Sequence, residues 1–91
     1  MPVTSIKRAD PSPHFKRSFA RLSPKVQKKV AARVVLFEAN SQHPSLKTHK
    51  LKGKLKDRWS FSIDRRYRVA FKFVNGDQVV YLDVGDHEVY R

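Results

Sequence analysis

The stretch from Trp59 to Gly85, WSFSIDRRYRVAFKFVNGDQVVYLDVG, decides the fold. Its apolar residues recur at every second position. Trp59, Phe61 and Ile63 alternate with Ser60, Ser62 and Asp64. Tyr67, Val69, Phe71 and Phe73 alternate with Arg68, Ala70, Lys72 and Val74. A period of two describes strands with one face packed on a core. Arg65-Arg66 turns the chain between the first two strands, and Asn75-Gly76 is a hairpin signal. The last strand is expected from about Gln78 to Val84, with Val80, Leu82 and Val84 opposite Val79, Tyr81 and Asp83, and Gly85 ending it. The stretch therefore reads as an antiparallel meander.

Upstream the period changes to that of helices. Ser12-Pro13 and Ser23-Pro24 each offer a serine N-cap followed by proline at the first helical position, where its missing N–H costs nothing. After Pro13, Phe15, Phe19 and Leu22 fall on one face. After Pro24, Val26, Val30, Val34 and Phe37 form a second stripe, widened by Ala31 and Val35, while Lys25, Lys28, Lys29 and Arg33 take the wet side. The short link between the stripes predicts an antiparallel helical hairpin lying on the sheet. Val3 and Ile6 suggest a first strand within residues 1–11, broken by Asp10-Pro11. Glu38 to Ser45 is turn-rich, and His43 within it reads as a solvated loop histidine. Residues 46–57 read as a basic connector bent at Gly53. The expected fold class is α+β, a helical hairpin packed on one face of a small, mainly antiparallel sheet in the order β-α-α-β-β-β. Residues 1–91 are expected to form one domain.

Charge narrows the function. The chain carries a net +12. Residues 1–46 contribute +7, residues 47–72 contribute +8, and residues 73–91 contribute −3. So basic a chain needs a polyanion or an acidic partner, and nucleic acid is the leading candidate. The absence of cysteine excludes disulfides and thiolate metal sites. It also fits a reducing compartment. No apolar run reaches the roughly 18 residues of a membrane span. MPVTSIKRAD lacks the apolar core of a signal peptide. The expectation is a cytoplasmic protein with no membrane contact, no metal and no cofactor.

If Trp59, Tyr67, Val69 and Phe71 face the helices, alternation turns Ser60, Ser62, Arg68 and Lys72 to an open face. An arginine fixed in mid-strand suits a phosphate, because its planar fork gives two parallel hydrogen bonds. The bordering connector supplies Lys47, Lys50, Lys52, Lys54, Lys56 and Arg58, and the following turn supplies Arg65 and Arg66, as a nucleic-acid-binding rim. His87 and Tyr90 follow the final strand. A histidine, an aromatic hydroxyl and a fixed arginine suffice for RNA cleavage without a metal. A base takes the ribose 2′-hydroxyl proton, a cation stabilises the charge at phosphorus, and an acid protonates the leaving 5′-oxygen.

The runs LKTHKLKG, WSFSI, YRVAF, VYLDVG and the final H-x-x-Y resemble the RelE/ParE superfamily of bacterial toxins, most nearly its RelE and YafQ mRNA-interferase branch, from Phe15 to Tyr90. The resemblance implies a type II toxin that cleaves translated mRNA on the ribosome, and an antitoxin partner with an acidic segment. It implies that Arg68 contacts the scissile phosphate, that His49 and His87 serve acid–base chemistry, and that Tyr90 stacks on a base. Ser60 and Ser62 stand where RelE carries lysines, so the acid and base roles stay open. Two other readings stay open as well: a ParE-like toxin that inhibits DNA gyrase without nuclease activity, and a non-catalytic RNA-binding module.

Overall fold

Both serine–proline pairs start helices, in a computed structural model that describes residues 5–52 and 57–86. Ser12 caps α1 (Pro13–Ala20), its Oγ accepting the Phe15 N–H at 3.1 Å. Ser23 caps α2 (Pro24–Ala39), accepting the Val26 N–H at 3.3 Å. Phe15 is buried on α1, and Val30 and Phe37 are buried on α2. Val35, expected in the apolar stripe, is instead 71% exposed. It lies five residues beyond Val30, about 140° around the helix at 3.6 residues per turn.

Under the helices lies a five-stranded sheet. Its strands are β1 (Arg8–Pro11), β2 (His49–Lys50), β3 (Trp59–Ser62), β4 (Tyr67–Asn75) and β5 (Gln78–Asp86), in the spatial order β1-β5-β4-β3-β2. The antiparallel meander β3-β4-β5 is the one that alternation predicts. β1 runs parallel to β5, which makes the sheet mixed. The first strand differs from its expectation. It starts after Ile6 and runs through Asp10-Pro11, which was read as a break. Pro11 is tolerated there because it ends an edge strand, where a missing N–H breaks no ladder. Ile6 is buried outside the strand, its N–H donating to Glu38 O at 2.8 Å; Val3 lies outside the described residues. The connector also holds a short strand, β2, that its composition concealed.

β5 departs from strict alternation. Phe71 pairs with Tyr81 but Ala70 pairs with Asp83, so Leu82 is an extra residue. Such a bulge reverses which parity faces the core. Val79 and Tyr81 point inward before it and Val84 after it, so all three join one core. Phe37 sits at the centre of that core, stacked on Phe61 at 4.3 Å and edge-on to Phe71 at 4.7 Å between centroids. Tyr81 donates to Glu38 at 2.9 Å, tying β5 to the end of α2. Burial, then the hydrogen bond to Glu38, raises the Tyr81 pKa far above its ordinary value, so the hydroxyl stays protonated.

Candidate active site

His49 is placed by the segment between α2 and β2. A single 3-10 turn, Pro44–Leu46, packs the fully buried Leu46 into the core. His43 caps that turn, its Nδ1 lying 3.2 Å from Ser45 N and 2.8 Å from Ser45 Oγ. Lys47 follows in the left-handed region at φ 50°, a conformation that L side chains adopt rarely, and redirects the chain. Thr48 Oγ1 donates to Ser41 O at 2.8 Å. Arg33 clamps the segment from α2, donating to Ser45 O at 2.6 Å, Ser45 Oγ at 3.2 Å and Ser62 O at 3.3 Å. The sequence placed Arg33 on a solvated helix face. Its role depends on a loop and a strand that are remote in sequence.

These restraints bring His49 opposite Ser60, and Ser62 lies opposite Arg68. The Arg68 Nε donates to Ser60 Oγ at 2.9 Å, and its terminal nitrogen lies 3.2 Å from His49 Nδ1. Ser60, Ser62 and Arg68 were expected to stand open, and here the structure differs. Ser60 is 0% exposed, and Ser62 and Arg68 are each 9% exposed. The guanidinium lies down along the sheet because Ser60 and His49 give it partners there. Burial lowers the Arg68 pKa from its ordinary value, the cost of desolvating a cation.

The same His49 nitrogen meets two groups with opposite needs. Nδ1 lies 2.8 Å from Lys47 O, which accepts only if Nδ1 carries the proton. It also lies near the Arg68 guanidinium, which can only donate. In the first tautomer Nε2 holds a lone pair and can act as a base. In the second Nε2 carries the hydrogen and can only donate a hydrogen bond. An anion that drew the guanidinium away would leave the carbonyl as the sole partner of Nδ1 and fix the basic tautomer.

The other residues expected in the site are distributed as follows. Lys50 and Lys72 line a cavity of about 470 Å³ beside Trp59. Arg58 lines a different cavity, with His14 and Asp83. Lys52 and Arg65 are exposed. Arg66 is engaged elsewhere, 2.9 Å from Asp86 and with its guanidinium 5.3 Å above the Tyr67 ring. The Ser62 hydroxyl donates to Asp64 O at 2.9 Å, which commits it to the turn and not to a ligand. Lys54, Lys56, His87 and Tyr90 lie outside the described residues. Among the described residues no group of three or more His, Asp or Glu side chains gathers to hold a metal ion. Nor is any described helix long and apolar enough to cross a membrane.

Two helices packed on a five-stranded mixed sheet are the arrangement of the RelE/ParE superfamily of type II toxins. Within it the chain belongs to the family of HigB-like toxins, described as RelE-like toxins of type II toxin–antitoxin system HigB, whose family model matches residues 16–85. Among solved structures the fold is similar to YafQ from E. coli, at a TM-score of 0.72 and 15% identity over 89% of this chain and 93% of that one. It is similar to YafQ in the E. coli DinJ–YafQ toxin–antitoxin complex, at 0.70 and 15% identity over 96% and 97% of the two chains. It is also similar to a chain of the Mycobacterium tuberculosis RelBE2 toxin–antitoxin complex, at 0.63 and 20% identity over 93% and 100%. No curated protein matches the sequence.

Proposed function

We propose that this toxin is an endoribonuclease that cleaves translated mRNA on the ribosome by attack of a ribose 2′-hydroxyl. The observation that supports this most is the contact of Arg68 with His49 at 3.2 Å on a strongly basic chain. In this reading Arg68 exchanges its contact with His49 for the scissile phosphate. His49, its Nδ1–H then donating to Lys47 O, takes the 2′-hydroxyl proton on Nε2. The freed oxygen attacks phosphorus, the P–O5′ bond breaks, and a 2′,3′-cyclic phosphate forms. His87 is the candidate acid for the leaving 5′-oxygen, and Tyr90 the candidate platform for a base; both assignments come from the resemblance. Ser60 positions Arg68, and Arg33 positions His49. Lys50, Lys52, Arg58 and Lys72 supply sequence-independent attraction for the RNA backbone.

An antitoxin with an acidic segment is the proposed partner, since YafQ and RelBE2 are solved with antitoxins and residues 47–72 here carry +8. The cytoplasm, where translated mRNA is found, is the proposed place of action. The test is to map mRNA ends after induction of the wild type, His49→Gln and Arg68→Ala. Cuts inside translated codons with the wild type, absent with both variants, are expected. Intact mRNA in cells that the wild type still arrests would overturn the nuclease reading and direct attention to DNA gyrase.

A further inference from the structure

Four residues form one row across the sheet. His49 pairs with Ser60, Ser60 with Ala70, and Ala70 with Asp83. Directly paired residues share a face, so Asp83 stands on the same face as His49. It lies three strand spacings away, about 14 Å at 4.8 Å per strand. There His14, from the first turn of α1, brings Nε2 to 3.3 Å from Asp83 Oδ1. Oδ1 also accepts the Val84 N–H at 2.8 Å. Among the described residues no donor pairs with Oδ2. Ser12, His14, Arg58, Leu82 and Asp83 line an open cavity of about 410 Å³. The Ser12 hydroxyl is already used twice, as the α1 cap and as a donor to Leu82 O at 3.2 Å, so His14, Asp83 and Arg58 supply the free chemistry.

We propose that the cavity between His14, Asp83 and Arg58 is a subsite for one nucleotide of single-stranded RNA, apart from the bond that is cut, selecting a base with an exocyclic amino group. The inference rests on RNA being the ligand of the open face. A carboxylate is out of place on a cationic surface that binds only phosphate, because it repels phosphate. The same repulsion disfavours the acidic side chains of a protein partner. What a free carboxylate oxygen takes is an N–H, and the exocyclic amino groups of adenine, cytosine and guanine offer one. Uracil presents a carbonyl at that position, and its one N–H on that edge, N3–H, is flanked by two carbonyl oxygens that repel a carboxylate. His14 is 61% exposed and can lie against the base, as histidine does in single-strand recognition. Arg58 holds the adjoining phosphate. The separation from His49 corresponds to a few nucleotides, at about 3.4 Å of rise per stacked nucleotide.

The experiment uses the full chain carrying His49→Gln, so that RNA is bound but not cut, and measures anisotropy of labelled A6, C6 and U6. A6 and C6 are expected to bind at least fivefold more tightly than U6. Asp83→Asn, which keeps the Oδ1 acceptor for Val84 N–H, is expected to abolish that difference. His14→Ala, at an exposed position, is expected to weaken all three several-fold. If the preference survives Asp83→Asn, if the three RNAs bind equally to the parent, or if His14→Ala binds as tightly as the parent, the subsite is refuted. Loss of hexaglutamate binding on His14→Ala, with RNA binding intact, would make the cavity a protein-docking site and equally overturn the proposal. These readouts need no cleavage. They separate failure of the subsite from failure of the nuclease reading, which the mapping of mRNA ends tests.

Discussion

Arg68 is held between two partners, and each makes a separate contribution. Ser60 satisfies Nε inside the sheet, where a lost partner leaves a buried donor unpaired. Ser60→Ala is therefore expected to destabilise the fold by about 1–3 kcal/mol in urea unfolding, and to lower mRNA cleavage more than binding. Unchanged unfolding would mean that water replaces the hydroxyl. Tyr81 behaves more simply. Tyr81→Phe removes the hydrogen bond to Glu38, whose carboxylate is only partly buried, so about 1 kcal/mol is expected. His14, Arg33 and Asp83 were invisible as site residues in the sequence. A lone histidine after a proline, an arginine on a wet helix face and an acid in a strand have no spacing that links them. Arg68 was singled out because strand alternation and family resemblance agreed on it, but its burial against Ser60 was not foreseen.

Elements fix what the residues do. The turn between β3 and β4 is organised by Asp64, whose Oδ1 accepts from both Arg66 N and Tyr67 N at 2.8 Å, while Lys29 reaches Oδ2 at 3.2 Å. Burial pushes the Asp64 pKa up, but these hydrogen bonds and the lysine outweigh it, and the pKa is lowered from its ordinary 3.8. A carboxylate with a depressed folded pKa adds stability above its unfolded pKa, and the addition is lost as pH falls through the folded value. Asp64→Asn is thus expected to be less stable than the wild type at pH 7, with the gap starting to close at about pH 4 and closing fully only below the depressed folded pKa. A gap independent of pH would assign the effect to shape, not charge. At the other end of the fold, Ser12→Ala and Ser23→Ala should each cost about 1 kcal/mol as lost caps. Ser12→Ala should cost more, because its hydroxyl also bonds Leu82 O. Arg33→Ala is expected to lower cleavage through His49, with partial rescue by Arg33→Lys, which retains one of the three contacts at most. Both caps were readable as serine–proline pairs. The Lys29–Asp64 contact and the Arg33 clamp were not, because their partners lie 12 to 35 residues away.

At the scale of the molecule the fold separates its two faces. Aromatic side chains from α1, α2 and the meander fill one side, and the Arg68–His49 pair and the His14–Asp83 pair lie on the other. A net +12 makes any RNA affinity depend on salt. For single-stranded RNA the logarithm of the binding constant should fall with the logarithm of salt at a slope near −0.7 for each phosphate neutralised. Lys72→Ala should make that slope shallower by about that amount. A slope near zero would show that the basic face does not track a backbone.

The sequence by itself determined the two helices, the three-stranded meander and the fold class, because hydrophobic period, serine–proline caps and the Asn75-Gly76 turn are local signals. It also determined that positive charge is concentrated in residues 47–72. Tertiary structure alone decided the parallel docking of β1, the bulge at Leu82 and the short β2 that carries His49. It also decided that Arg68 is buried against Ser60 and that Asp83 shares a row with His49. Each of these depends on register between segments far apart in the chain, and register is set by packing and hydrogen bonding between strands, which no local pattern records.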